Sequence, residues 1–449
     1  MSLGTFKRGI YPPLNKDLTS EKEFTNLSIP HICFIPLQQH AGNPASPVVK
    51  AGDLVQEGQL IGKADGIISA NVHSSIPGKV IEIKDHPTVF SRNGKCVVIE
   101  ADGKFSTSGK SHERVSWQNI NNEILLERIF QAGIVGLSGE AFPTSVKLSP
   151  HKDKKIKCLI INCAESEPYL TSDDMLIRTH SEEILEGIDI ILKILGIDIA
   201  YIGIGDDKLK AIRTLKNNME QFSANKKEKI KLSVLKTKYP QGAEKQLVYA
   251  ILKMEVPCGK NSMDTGIIVL NVATVFAIRE ACVFGKPLFE RFITISGKIV
   301  TNPGNYKVRI GTRIIDIIKE CGGLKEEPAK IIMGGPMRGT ALHSSDVPVI
   351  KGTTGILFLS QKEVNATKYG PCIRCGRCVA ACPVKLVPCD LGKAALNEQY
   401  DLLKKLNASE CIICGSCSFV CPAKRPLSFF INNAQKKSIV VTSNNGILM

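Results

Sequence analysis

The chain has 449 residues, 43% hydrophobic and 22% charged, an ordinary globular balance with room for roughly two to four domains. Formal net charge is +15, and residues 361–449 carry +7 of it, from twelve Lys or Arg against five Asp or Glu. Such a surface suits nucleic acid, anionic lipid or an acidic protein, but a single Trp and the lack of an aromatic-and-basic stripe argue against a base-stacking protein. The opening MSLGTFKRGIYPP lacks the apolar core of a secretory signal. The longest nearly apolar run, residues 266–278, has 13 residues, carries Asn271 and Thr274, and is too short to span a bilayer. The expectation is a protein of the cytosol or of the cytosolic face of a membrane.

In chain order, residues 1–104 open with strand-like, Gly- and Val-rich sequence. GDLVQEGQLIG (52–62) and VHSSIPGKVIEI (72–83) resemble the two halves of a barrel-sandwich domain of the biotinyl/lipoyl type. The hairpin between them, KADGIISAN, carries no modification signature, so a structural or docking role is expected.

Residues 105–287 alternate strand and helix. In GIVGLSGEAFPT (133–144), Gly133, Gly136 and Gly139 space out a loop whose backbone N–H groups can approach a phosphate, yet Glu140 puts a carboxylate into it. A strand is predicted at 157–162. A helix follows from Thr179, with Glu182 completing a capping box, an apolar face from Ile184 to Leu195, and Gly196 as its stop. A strand at 197–205, a helix at 207–222 and a strand at 230–237 complete β-α-β-α-β, a mainly parallel sheet with ligands expected beyond the strand C-termini. Polar residues gather there. NCAESEPYLTSDD holds Asn162, Glu165, Ser166, Glu167, Asp173 and Asp174; YPQGAEKQL holds Gly242, Glu244 and Lys245; LNVATVFAI holds Asn271 and Thr274. Amides and hydroxyls suit an isoalloxazine or ribityl chain, and carboxylates suit ribose hydroxyls. Each loop alone also reads as a solvated turn.

Residues 288–355 hold two predicted strands, an Asn-Pro-Gly turn at 302–304 and a short amphipathic helix, a small β-grasp module. Residues 356–435 read as a helical domain with one helix over 391–406, and 436–449 as a loose polar tail.

Sixteen cysteines without an export signal argue against a disulfide scaffold. Eight fall in two runs, CIRCGRCVAACP and CIICGSCSFVCP, both C-x2-C-x2-C-x3-C-P. Three thiolates at this spacing wrap a cubane, while the fourth lies too far round and ligates the other cluster. The assignment is Cys372, Cys375, Cys378 and Cys421 for one [4Fe–4S] cluster, and Cys382, Cys411, Cys414 and Cys417 for the second. Structural zinc, the alternative, uses ligand pairs with a longer gap. Arg374, Arg377, Gly376, Gly415 and Ser416 fit tight loops around sulfide. Cysteines 33, 96, 158, 163, 258, 282, 321 and 389 show no ligand spacing and are expected as buried free thiols.

The glycine loop and the three polar loops, in order, together with TFKRGIYPP, IMGGPMRGTAL, DVPVIKGTTGIL and both cysteine runs, resemble the RnfC family, a component of the Rnf complex, the ion-translocating ferredoxin:NAD oxidoreductase. More distantly they resemble the FMN- and NADH-binding flavoprotein of respiratory complex I. The resemblance implies a multidomain α/β protein: a barrel-sandwich hybrid, a Rossmann-like FMN/NADH domain, an SLBB-like β-grasp module and a two-cluster ferredoxin-like domain. It implies non-covalent FMN at Gly136, Gly139, Asn162, Glu165, Ser166, Asn271 and Thr274, NAD(H) near Glu167, Glu244 and Lys245, and no protein nucleophile. A flavin supplies what cysteines lack, because NADH gives two electrons at once and each cluster takes one. The partners implied are other Rnf-type membrane and ferredoxin-like subunits and the membrane surface, with the chain peripheral on the cytoplasmic side of the bacterial inner membrane.

The opening loop departs from the family form, close to GLGGAGFPT: Ser138 and Ala141 replace glycines, and Glu140 replaces a small residue. Ala141 fits unless that position needs positive φ. A carboxylate about 4 Å from a phosphate costs a few kcal/mol at an effective dielectric near 20, unless Glu140 points to solvent or Lys147 neutralises it. Three alternatives stand beside the pump component. One is a relay or scaffold protein of the same complex that has lost flavin and NADH binding, and another is a soluble diaphorase. The last is the component of the sodium-pumping NADH:quinone reductase that shares the barrel-sandwich and β-grasp parts, which lacks the eight cysteines.

Overall fold

The structure, a computed structural model, describes residues 3–103, 113–149, 154–223, 229–364 and 368–444. Near the N-terminus, strands Ile32–Pro36, Gly94–Ala101, Gly78–His86 and Leu54–Val55 form one antiparallel sheet, and Ser46–Pro47, Leu60–Lys63 and Val72–His73 form a second. The two sheets close over Ile35, Ile61, Val72, Val80, Val97 and Ile99. Leu60 pairs with His73 and Gly62 with Val72, so the two half-motifs meet across the 63–71 hairpin.

The α/β domain has a four-stranded parallel sheet in the order Lys229–Leu235, Ile199–Gly205, Cys158–Cys163, Ile267–Asn271. Alternation explains why it is covered on both faces. Leu159, Ile161, Ile268 and Leu270 pack under helices Ser181–Leu195 and Val272–Phe284. Ile160, Ile267 and Val269 face helix Glu244–Leu252. The capping box at Thr179 does not form. The chain makes helix Ser172–Thr179, turns at His180 (φ −136°, ψ 36°), and restarts at Ser181. The Thr179 hydroxyl is engaged within its own helix, donating to the Met175 carbonyl at 2.9 Å. Gly196 does end the helix, in the left-handed region at φ 63°.

The fourth sheet is larger than the two strands expected. It runs Phe24–Asn26, Gly304–Arg309, Glu290–Ser296, Gly355–Leu359, Lys330–Met333, Thr340–Ala341. Phe24–Asn26 comes from the N-terminal segment and pairs in parallel with Gly304–Arg309. Gly355–Leu359 (GILFL), placed from sequence at the start of the helical domain, is an inner strand here, because an almost wholly buried apolar run needs neighbours on both sides.

The helical domain also departs from its reading. The helix expected over 391–406 is two, Pro388–Leu396 and Tyr400–Lys405, broken where Glu398 adopts φ +52°. Leu391, Ala394 and Leu403 still share one core, but Leu402 is exposed. The tail expected to loosen at Lys436 continues helix Leu427–Asn444; residues 445–449 lie outside the described residues. Of the eight remaining cysteines, Cys258 is exposed and Cys389 half-buried, while the other six are buried as expected.

Candidate functional site

The strand C-termini converge on one polar edge. Near the end of its strand, Asn162 donates to the Gly242 carbonyl at 2.8 Å, and the Ser166 hydroxyl accepts the Gly242 N–H at 3.2 Å. Two loops distant in sequence are thereby locked together. Glu165 accepts the backbone N–H groups of Asp173 and Asp174, at 2.7 and 3.3 Å. Asp173 in turn accepts from Asn271 at 2.7 Å, and Asn271 caps helix Val272–Phe284 through the Ala273 N–H. Burial raises the Glu165, Asp173 and Asp174 carboxyls above the ordinary range, against the pull of Lys16 and Lys208.

Beside this chain of contacts lies a cleft lined by Tyr11, Lys16, Glu165, Ser166, Asp207, Tyr239 and Gln241, roofed by the N-terminal segment. Lys16 donates to the Glu165 carbonyl at 2.7 Å, and Lys208 to the Ala164 carbonyl at 2.9 Å. Gln241 is 1% exposed, yet neither end of its side-chain amide has a hydrogen-bond partner among the described residues. A buried, unpartnered amide at a cleft is a group that a polar ligand satisfies.

The glycine loop is held from beneath. Thr274, fully buried, accepts the Leu137 N–H at 2.9 Å. Arg291 donates to the Leu137 carbonyl at 3.2 Å, and Lys351 to the Gly133 carbonyl at 2.7 Å. The tip, residues 138–140, is exposed, and nothing lies within 4 Å of a Cβ placed on Gly139. Lys147 does not neutralise Glu140. It pairs with Glu244 at 3.1 Å, while Glu140, 67% exposed, meets Arg338 at 3.4 Å. Ala141 does sit at positive φ, +49°, a conformation that favours glycine.

Glu167 points elsewhere. Its carboxylate accepts the Tyr239 hydroxyl at 3.3 Å and the Met337 N–H at 3.1 Å, and burial raises it. The same Tyr239 hydroxyl lies 2.7 Å from the Cys414 carbonyl, so its single proton is shared between the two acceptors, with the shorter contact to Cys414. Lys245 pairs with Glu410 at 2.8 Å, one residue before Cys411. Glu244 is held by Lys147 and Ser262.

Cys382, Cys411, Cys414 and Cys417 line one pocket with Pro383, Leu386, Leu391 and Ile431. Burial, added to by the neighbouring thiols, pushes Cys411 to about 11 and Cys417 to about 12. Thiols that resist ionising need bound positive charge to be held as thiolates. No group of three or more His, Cys, Asp or Glu among the described residues converges tightly enough for a single metal ion. Four thiols lining one pocket are the donor set that a [4Fe–4S] cubane takes, so these residues fit a cluster. In the other quartet, Cys372 and Cys375 are exposed and Cys378 is buried beside Cys389. The Gly370 N–H donates to the Ala423 carbonyl at 2.9 Å, bringing the Cys421 segment beside the first run.

Four families match successive stretches. Residues 4–104 match the RnfC barrel sandwich hybrid domain, 129–280 the Nuo51 FMN-binding domain, 292–341 the SLBB domain and 371–424 a 4Fe-4S dicluster domain. The chain is 44% identical over 405 residues to the C component of the proton-translocating ferredoxin:NAD(+) oxidoreductase complex of Clostridium ljungdahlii, covering 90% of this chain and 87% of that one. It is 40% identical over 436 residues to the Na(+)-translocating counterpart of Acetobacterium woodii, covering 97% of each. The chain belongs to the RnfC family. Its fold is shared with a chain of the NAD+-reducing [NiFe]-hydrogenase in the H2-reduced state, at a TM-score of 0.52 and 16% identity, over 75% of this chain and 65% of that chain.

Within this RnfC framework, sequence reasoning passed over Lys16, Lys208, Gln241 and Arg291. Gln241 sits inside YPQGAEKQL and could have been drawn from that loop. Lys16 and Arg291 carry no local signal, because they reach the site from the N-terminal segment and from the fourth sheet.

Proposed function

We propose that this chain is the peripheral electron-transfer component of an Rnf-type complex that exchanges electrons between NAD(H) and ferredoxin-like carriers and couples this to ion movement in partner proteins. The observation that carries it is the bridge Glu167–Tyr239–Cys414, by which a loop at the strand C-termini touches the backbone of a cysteine in the metal-binding region. When bound, FMN supplies the interconversion between hydride transfer and single electrons, and two [4Fe–4S] clusters supply the one-electron wire.

The residues divide the work. The exposed 138–140 tip offers backbone amides, held in place by Thr274, Arg291 and Lys351. Gly136, Gly139, Asn162, Glu165, Ser166 and Asn271 shape the FMN site, with Thr274 supporting the loop. Gln241 and Lys16 add polar groups from the adjoining cleft. Glu167 orients the nicotinamide side and is fixed by Tyr239 and Met337, while Glu244 and Lys245, engaged in ion pairs, position the 239–247 loop. Cys372, Cys375, Cys378 and Cys421 hold one cluster, and Cys382, Cys411, Cys414 and Cys417 the other. No helix among the described residues is long and apolar enough to cross a membrane; attachment on the cytoplasmic side runs through the partner proteins.

The test is a visible spectrum of the anaerobically purified protein before and after NADH. Bleaching of a flavin band together with the broad cluster absorption is expected. Cluster absorption without flavin, and no response to NADH, would reassign the chain as a relay and scaffold protein, the reading that Ala141 at positive φ favours. Membrane fractionation separates both from a soluble diaphorase.

A further inference from the structure

The two cysteine quartets meet the rest of the chain differently. Around Cys382, Cys411 and Cys414 the helical domain is bolted to the body: Gly9 N–H to the Ala381 carbonyl at 3.2 Å, Gln246 to the Pro383 carbonyl at 3.4 Å, Tyr239 to the Cys414 carbonyl at 2.7 Å, and Lys245 to Glu410 at 2.8 Å. Around Cys372 and Cys375, by contrast, residues 371–377 are exposed without interruption. One quartet is an inner site and the other an outer site.

The outer site is framed by an apolar and cationic face. Tyr369 stacks edge-on against Phe430 at 5.5 Å, and Arg425 lies over both rings at 5.5 and 5.9 Å while donating to the Gly370 carbonyl at 3.2 Å. Tyr369, Ile373 and Phe429 are 48%, 64% and 59% exposed, although all three are large and apolar. Lys368, Arg374, Arg377 and Lys424 are exposed nearby in sequence. Segments 364–389 and 411–444 contain no Asp or Glu at all.

We propose that this face, centred on Tyr369, Ile373 and Phe429 and ringed by Lys368, Arg374 and Arg425, is the docking surface for an acidic electron-carrier protein, with Cys372 and Cys375 beneath the contact. The inference rests on the electron-transfer reading above and adds where the carrier meets the chain. The argument is chemical. A carrier must come close to a cluster, and only the outer quartet presents ligand thiols at the surface. A small apolar centre with a rim of one charge is the form of a transient redox contact, which stays under about 1,200 Å² and relies on charge for encounter and orientation. The absence of carboxylates from both segments selects an acidic partner. A lipid surface would satisfy the cations but would bring no redox group to the exposed thiols.

The experiment uses the full chain with its clusters intact and, as probe, a purified acidic two-[4Fe–4S] ferredoxin, with Kd measured by calorimetry at low and high salt. Wild type is expected to bind, with affinity falling steeply as salt rises. Lys368→Glu and Phe429→Ala should each weaken Kd about tenfold at low salt, while cluster absorption and its reduction by dithionite stay unchanged. Lys50→Glu, in the barrel-sandwich domain, should bind as wild type. Failure of wild type to bind the ferredoxin, or equal Kd in the face variants and Lys50→Glu, overturns the proposal. So does loss of sedimentation with phosphatidylglycerol vesicles in the face variants alongside unchanged ferredoxin binding, which would make the face a membrane contact. If NADH bleaches nothing in wild type while the face variants still lose the ferredoxin, the docking face stands and the NADH-linked reading is what fails.

Discussion

The cysteine region and the glycine loop keep their patterns to different degrees. Both cysteine runs hold every ligand position, whereas the glycine loop departs at Ser138, Glu140 and Ala141. The contrast lies in what each site asks of its residues. A thiolate is itself the bond to iron, and no other side chain in these runs replaces it. The loop offers backbone amides, which any residue but proline supplies provided the backbone is held. Here it is held from outside by Thr274, Arg291 and Lys351, and Glu140 is exposed beside Arg338.

Breaking the intact pattern should have the greatest consequence. Cys414→Ser is expected to remove about half of the bound iron and to loosen the domain contact at Tyr239, whereas Cys375→Ser removes about half of the iron and leaves that contact in place. Iron content and hydrogen exchange at Gly242–Gln246 would tell them apart; equal exchange in both variants counts against the inner and outer distinction.

Next is the scaffold under the loop. Lys351 is wholly buried, and its amine donates to the Asn71 carbonyl at 2.5 Å and the Gly133 carbonyl at 2.7 Å. Lys351→Met strands both carbonyls and should cost about 1–3 kcal/mol of stability at about pH 9, read by denaturant unfolding. Burial lowers this lysine to about 7. Between there and the ordinary value near about 10.4, the unfolded chain holds more protons than the folded one, so stability rises with pH across that window, by at most about 1.4 kcal/mol per unit. The variant should flatten that rise, and an unchanged slope would assign it to other groups.

Tyr239→Phe removes a single hydroxyl between Glu167 and the Cys414 carbonyl. A loss of about 0.5–1.5 kcal/mol is expected, together with a shift in the redox titration of one cluster but not the other. The smallest effect should be a gain. Ala141→Gly relieves the strain at φ +49° and should stabilise the chain by about 1 kcal/mol while tightening FMN retention on gel filtration. A loss of stability would mean that the neighbours compensate for the strain.

Features that depend on spacing along one segment were legible before any folding. The spacing of the eight cysteines, the three strands within 158–235 and the Gly196 stop are all written locally, because chelation and backbone periodicity act over a few residues. Features that depend on distant partners emerged only from the packed molecule. The Thr179 hydroxyl bonded back to its own helix instead of capping the next, Gly355–Leu359 joined a sheet whose edge is Phe24–Asn26, and Lys147 chose Glu244 over Glu140. Packing also placed the unpartnered Gln241 beside Lys16 and joined Tyr239 to Cys414. A hydrogen bond reaching 175 positions along the chain leaves no periodicity and no spacing behind it, since its geometry exists only once several sheets have packed.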